Sequence, residues 1–345
     1  MINTIKNLRP LTIATIVLLL VYLVAIPLLF RDNKYVLHVF ILCSQVSIVA
    51  ITVRGIFVCG ELTFGQVAFV MVGAYSSAIL TTKAGLPFWF ALPLSGILAA
   101  MFASLVGFPM LRLKGTYFCI SSLILTEVLK HAAKALDFLG SNKGFYGIPR
   151  PSAVQIGTFT LIPEFTPYDR LPYYFLIALL LVITVAAFWR LDSSPPGRVF
   201  RAIQQDDGLA ASLGINVIWY KIKAFAISAF FAGLVGSFSA HYMTVFYPES
   251  FSVWDSIHYV LYAFIGGMGY LGGPITGAFA LTWLWEFLHA AAGLQMVVFA
   301  AVIIVVILFL PGGLFSLEKF LPLWWTRLTG ISQGKFEKEK SNGST

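Results

Sequence analysis

Few residues in this chain combine charge with an apolar setting, and their spacing limits the chemistry open to them. Glu127 is the costliest, in an apolar window that begins at Thr116 and Tyr117. Lys130 and His131 follow at i+3 and i+4, on the same helical face. Two roles fit: neutralisation by Lys130 near an interface, or a gate or contact for a substrate amine. Gly65-Gln66 opens another window, where the amide wants a partner, either a polar solute or a backbone carbonyl. "GGMGYLGGP" (266–274), with Gly266 and Gly269, offers unwound backbone for ions or polar cargo if it lines a cavity, and is otherwise a tight turn. Cys43, Cys59 and Cys119 stand apart and read as small hydrophobes, with no metal or redox role. His38, His241, His258 and His289 are scattered and receive no chemistry. There is no H-E-x-x-H, no G-x-S-x-G, no clustered Asp motif and no G-x-x-x-x-G-K-[ST] loop. Neither bond-breaking nor ATP hydrolysis is therefore expected of this chain.

The elements that position these residues follow from composition. Of 345 residues, 59% are hydrophobic and 11% charged, against about 25% charged in a soluble domain. Lipid must be the solvent for much of the surface. The net charge of +8 is then a matter of topology rather than of nucleic acid. Apolar windows fall at 11–30, 36–53, 64–82, 87–110, 116–135, 172–189, 223–245, 256–271, 274–291 and 294–311. They predict an all-α integral membrane protein of ten spans, with the membrane domain over 1–328. The first window is longer than a signal h-region and no small-x-small site follows it, so it reads as a retained helix. Gly65 and Gly73 are expected to break the third window. The eighth and ninth, split by the Gly-rich turn, form two crossings or a re-entrant pair. Ala229, Ala232, Gly233 and Gly236 give small-x-x-x-small pairs on the seventh window, either for static packing or for a sliding seam.

Lysine and arginine set the orientation. Arg54, Arg112, Lys114, the segment 190–223 and the basic tail share one side with Lys6 and Arg9; a balanced loop, 137–171, takes the other. This predicts N-in, C-in. The tail 329–345 is polar, with mixed Lys and Glu, and is expected to be disordered.

On the inner side lies "PPGRVFRAIQQDDGLAASLGI" (195–215), a polar segment in a chain of hydrocarbon. Pro195-Pro196-Gly197 stops the preceding helix. A helical unit is predicted from Arg198 to Leu213, with Gly214 as its C-terminal stop and Gly208 as a possible division. Val199, Ala202, Ile203, Leu209 and Leu213 make one apolar stripe; Arg198, Arg201, Gln204, Gln205, Asp206 and Asp207 occupy other faces. Such a unit either rests on the lipid surface or docks in a groove of a protein partner.

This segment closely resembles the coupling segment of the permeases of branched-chain amino acid ABC importers, through Gly197-Arg198, Arg201-Ala202-Ile203, Asp206/Asp207 and Gly214-Ile215-Asn216. "GELTFGQVAFVMVGAY" (60–75), "GTYFCISSLILTEVLK" (115–130), "FIGGMGYLGGPITGA" (264–278) and "LFLPGGLF" (308–315) resemble four further family segments, in family order. "GSNKGFYGIP" (140–149), Glu61 and Thr63 depart from the usual pattern, which bears on the cargo rather than on the machine. The resemblance implies a type II-like importer subunit in a bacterial or archaeal inner membrane. Its implied partners are a homologous second permease, two cytoplasmic ATPases holding ATP and Mg, and an external solute-binding protein. Gly197, Arg198, Arg201, Ala202, Asp206, Asp207 and Gly214 would couple to the ATPases. Gly65, Gln66, Thr116, Tyr117, Glu127, Gly266 and Gly269 are candidates for the translocation path, which in this family is expected between the two permeases. The default cargo is a branched-chain amino acid, with urea, short amides or organic acids as alternatives. An ion-coupled transporter would want more intramembrane carboxylates or histidines than Glu127 alone.

Overall fold

A computed structural model describes residues 22, 27, 30, 33–152, 154–156, 159–162, 165–166, 169–288, 295–309 and 313–314. Most of the window 11–30, His289 and the tail 329–345 lie outside these. The described elements are α1 (Lys34–Phe57), α2 (Gln66–Thr82), α3 (Phe88–Met110), α4 (Thr116–Ala135), β1 (Val154–Ile156), β2 (Phe159–Ile162), α5 (Leu171–Ser193), α6 (Pro195–Gln205), α7 (Asp207–Ser212), α8 (Val217–Met243), α9 (Val253–Gly266), α10 (Gly273–Leu288) and α11 (Gln295–Phe309). Each apolar window from 36–53 onward coincides with a helix. The expected all-α fold gains one small exception, an antiparallel ribbon in the loop before α5, where Gln155 pairs Thr160 and Ile156 pairs Phe159.

Among the described residues, α1, α3, α5 and α8 are long and apolar enough to cross a bilayer. Apolar stretches make these helices, and polar caps start them. Asn33 accepts from Val36 N (3.3 Å) and Asn216 from Trp219 N (3.2 Å). A Ser252/Asp255 capping box opens α9. The core is built round α8, which packs on α1, α2 and α3. The small residues of α8 are used there for close approach. A Cβ on Gly236 would lie 1.9 Å from the Val70 carbonyl oxygen of α2; one on Gly233 would lie 2.6 Å from Ala99 Cβ of α3. Gly73 does not break α2 as expected. It lies inside the helix, where a Cβ would meet the Gly233 carbonyl oxygen at 2.2 Å. Glycine here answers a neighbouring backbone, and the helix continues because membrane packing compensates its low propensity.

The outward faces are apolar, as a lipid-facing surface requires: Phe90, Ile97, Met101, Leu105 and Phe108 form a stripe along α3. Towards the end opposite the 195–215 segment, Phe145 and Phe246 pair through their backbones, and Lys134 reaches Glu249 at 2.7 Å. The Lys134 ammonium holds the Glu249 carboxyl below its ordinary pKa. That contact therefore contributes above the ordinary carboxylate pKa and fades as pH falls through the lower folded value.

Candidate functional site: a polar handle and the connector beneath it

The 195–215 segment is two helices, not one. Ser194 caps α6 by accepting from Gly197 N (3.4 Å), with Pro195 and Pro196 in the first turn, so the helix begins three residues before the predicted start. The division comes at Asp206 rather than at Gly208. Asp206 is extended (φ −161°, ψ 113°) and caps α7, accepting from Leu209 N at 2.9 Å. Gly214, at φ +81°, closes α7: its N–H reaches Ala211 O and that of Ile215 reaches Ala210 O, a Schellman ending.

The break overturns the predicted single stripe. Gly197, Phe200, Ile203 and Ala210 face inward, while Leu209 and Leu213 are 64% and 74% exposed. Continuous helical phase is lost at an extended residue, so apolar positions on either side of Asp206 need not share a face. Phe200 packs with Val58, Cys59 and Ala224, which joins the segment to the end of α1 and the start of α8. Burial of one such aromatic is worth about 2 kcal/mol. Gly197 permits the tight corner from α5, since a Cβ would lie 2.2 Å from the Leu191 carbonyl oxygen.

Hydrogen bonds and ion pairs bolt the same inward face down. Gln204 Nε2 donates to Phe57 O (3.1 Å), and Arg201 Nη2 donates to Asp192 O (3.0 Å). The Asp192 carboxylate holds Arg54 at 2.8 Å, and Arg54 Nε donates to Met268 O (3.1 Å) in the glycine-rich turn. The buried Lys221 ammonium lies 2.7 Å from Glu61 and 2.8 Å from Asp207. Asp207 therefore turns inward, against the expectation that it shares an outer polar face. Arg198, Leu209 and Leu213 remain outward, and Arg201 is exposed along much of its length.

Residues 58–65 form a non-helical connector between α1 and α2, held by its neighbours. The Cys119 thiol donates to Leu62 O (3.1 Å), and Phe64 N donates to Ser122 Oγ (3.0 Å). A Cβ on Gly65 would lie 2.7 Å from Ser122 O, and Val67 N reaches Ser256 Oγ at 3.4 Å. Ser122 lies six residues into α4, or about 9 Å of helix rise, so α2 starts well inside the bundle. With 17 residues it rises only about 25 Å, short of a hydrocarbon core of about 30 Å. Gln66 opens α2 and is 1% exposed, yet among the described residues neither atom of its amide has a partner. Thr126 on α4 is likewise buried with an unpartnered hydroxyl.

α4 buries one stripe, Phe118, Ser122, Thr126 and Ala133, and exposes Tyr117, Ile120, Ile124 and Val128. Thr116 is exposed with Tyr117. Lys130 covers Glu127 at 2.6 Å, and His131 Nε2 is 3.9 Å from the same carboxylate. The Glu127 side chain nonetheless keeps 39% of its surface open. The structure brings Gly65 and Gln66 to the inward side of α4, near Ser122. It does not bring Gly266 or Gly269 there. A Cβ on Gly266 would lie 1.8 Å from Gly273 O, so that turn is filled by its own packing, while Gly269 faces open space.

Sequence reasoning missed Lys221, Arg54 and His241. Arg54 and Lys221 entered only as charges that set orientation. The His241 ring is bonded at both nitrogens: Nδ1 donates to Pro149 O (2.6 Å), so Nε2 accepts from Ser77 Oγ (2.9 Å), which in turn accepts from Ser237 Oγ (2.7 Å). No local motif marks this chain of bonds, because its members lie on α2, α8 and a loop.

Residues 35–309 match the family model described as "Branched-chain amino acid transport system / permease component". The chain is 30% identical over 275 residues to the high-affinity branched-chain amino acid transport system permease protein LivM of Escherichia coli K12, covering 75% of this chain and 65% of that protein. The same figures hold for the LivM of Salmonella typhimurium LT2. The probable branched-chain amino acid transport permease protein LivM of Methanocaldococcus jannaschii is 25% identical over 191 residues, 52% of each chain. The chain thus spans a little under two thirds of the length of the first of these relatives. No solved structure matches. A multi-pass arrangement of apolar helices and a family model that covers most of the chain agree: this protein belongs to the permease components of branched-chain amino acid transport systems.

Proposed function

We propose that the protein is a membrane-spanning permease subunit of an ABC importer that moves branched-chain amino acids inward across a bacterial or archaeal inner membrane. The observation that carries this reading is the two-helix handle α6–α7. It is fixed to α1, α5 and α8 on one side, with Arg201 bonded to α5 although much of its side chain is exposed, and presents Arg198, Leu209 and Leu213 on the other. A helix merely resting on lipid needs no such anchorage, whereas a handle that transmits force does. Two cytoplasmic ATPases would grip it and supply ATP and Mg; this chain contributes no nucleotide motif and no cofactor. A homologous second permease and an external solute-binding protein complete the machine, in an N-in, C-in topology of ten spans.

The path for a zwitterion is proposed along α4. Charged groups on a half-exposed face, Glu127 with Lys130 and His131, are costly against hydrocarbon and suit water or a facing subunit. The unpartnered Gln66 amide behind that helix is a second polar group available to cargo. The second permease would cover the exposed Tyr117, Ile120 and Ile124 stripe. Urea, short amides and organic acids are the alternative cargoes, through the departures at Thr63 and 140–149; Glu61, the third departure, is buried against Lys221.

The test is co-expression with candidate ATPases and the second permease, followed by reconstitution. Leu209→Asp with Leu213→Asp is expected to abolish ATPase co-purification and uptake while leaving membrane insertion intact. Uphill transport by this chain alone would remove the proposal, as would normal assembly of the double variant.

A further inference from the structure

Taking the importer reading as given, we propose that Lys221, clamped between Glu61 and Asp207, is the joint that delivers movement of the handle to the start of α2 and to α4. Lys221 Nζ lies 2.7 Å from Glu61 Oε1 and 2.8 Å from Asp207 Oδ2, with side-chain exposures of 5%, 3% and 24% for the lysine, glutamate and aspartate. These three residues belong to three different parts: the second turn of α8, the connector and the first residue of α7. Two carboxylates share one buried ammonium. Loss of the Glu61 contact leaves a buried carboxylate uncompensated at low dielectric, and loss of the Asp207 contact breaks a charge-assisted bond of 2.8 Å, so α7 and the connector shift together. Lys114 Nζ stands 3.8 Å from Asp207, but it is largely exposed and screened.

The connector offers a direct route onward. Gly60 meets α6 closely, a Cβ there lying 3.2 Å from Gln204 Cα. Six residues further, the chain has bonded to α4 through Leu62–Cys119 and Phe64–Ser122 and reached the unpartnered Gln66. The handle thus meets one end of a short non-helical connector whose other end abuts the helix that carries Glu127. Glu61 Oε2 is buried with no hydrogen-bond partner among the described residues, which leaves the glutamate held through one oxygen. A group retained there only for packing would be better served by an apolar side chain.

This joint predicts uncoupling rather than disassembly. The full transporter, reconstituted in lipid vesicles with its ATPases and binding protein, is assayed for subunit co-purification, ATP hydrolysis and leucine uptake. Lys221→Met, Glu61→Gln and the double variant Glu61→Gln/Lys221→Met are expected to assemble and hydrolyse ATP, with uptake per ATP reduced at least tenfold. Lys221→Arg, which keeps the charge, is expected to retain uptake per ATP within about threefold of the parent. The double variant removes the most buried charge pair together, so it folds even if Lys221→Met does not. Unchanged uptake per ATP in Glu61→Gln and the double variant overturns the proposal. So does loss of assembly in all three charge-removing variants, because the triad would then serve folding alone. Failure of the importer reading looks different: the unmutated protein would take up solute without ATPases, or would recruit none.

Discussion

At the scale of single residues, buried polar groups divide into those with partners and those without. His241, Ser77, Ser237 and Pro149 satisfy one another in a single donor order, so that site is complete. Gln66 is not. A buried amide left without partners costs about 1–3 kcal/mol, and structure alone would favour leucine there. Gln66→Leu is therefore expected to leave the melting temperature of the purified protein unchanged or raised, while uptake falls at least tenfold. A variant that loses stability and keeps uptake would assign the amide a purely structural role. Glu127 follows different logic, because Lys130 at 2.6 Å already neutralises it. On the proposed path, its remaining exposed surface, not its charge alone, would offer it to cargo.

At the scale of elements, glycine spacing decides which helices touch. Gly73, Gly233 and Gly236 form one seam in which α2, α3 and α8 meet at backbone distance. Gly236→Ala would place a methyl 1.9 Å from the Val70 carbonyl oxygen, forcing the helices apart at a cost of about 1–3 kcal/mol. A clear fall in melting temperature is expected, with Gly269→Ala, which meets nothing within 4 Å, as a silent control. Equal stability of the two variants would mean that the seam is loose. The handle shows a second element-level rule. A helix restarted by an Asp cap carries its own phase, so Phe200 and Ala210 face inward while Leu209 faces out. Changes at Asp206 and Asp207 accordingly act on the handle's own fold and on the Lys221 joint before they reach any partner.

At the scale of the whole molecule, the handle, the connector and the glycine-rich turn gather at one end, tied by Arg54 and Asp192. Phe145, Phe246 and Glu249 gather at the other. The N-in, C-in proposal puts the first group in the cytoplasm. A cysteine introduced at Ser212, exposed at the tip of α7, is expected to react with a membrane-impermeant maleimide only in inside-out vesicles. One at exposed Asn142 should react only in right-side-out vesicles. The reverse pattern would invert the topology and remove the handle from reach of any cytoplasmic ATPase.

The order of apolar windows, the basic bias of one side, the glycine-rich turn and the capped polar segment all follow from local chemistry. Hydropathy, charge and cap residues act over a turn or a window, so they can be read along the chain. Family membership was legible for the same reason, through five short segments whose residues stand together in sequence. Contacts between distant residues were not legible. Lys221 finds Glu61 160 residues away and Arg54 finds Met268 214 residues away, and nothing near any of them announces the partner. The single stripe failed because one extended residue reset the helical phase. Gly73 was misread as a break because its neighbour, Gly233, lies on another helix. Three-dimensional packing alone decided which charges are buried together, because the chain between them carries no local sign of the pairing.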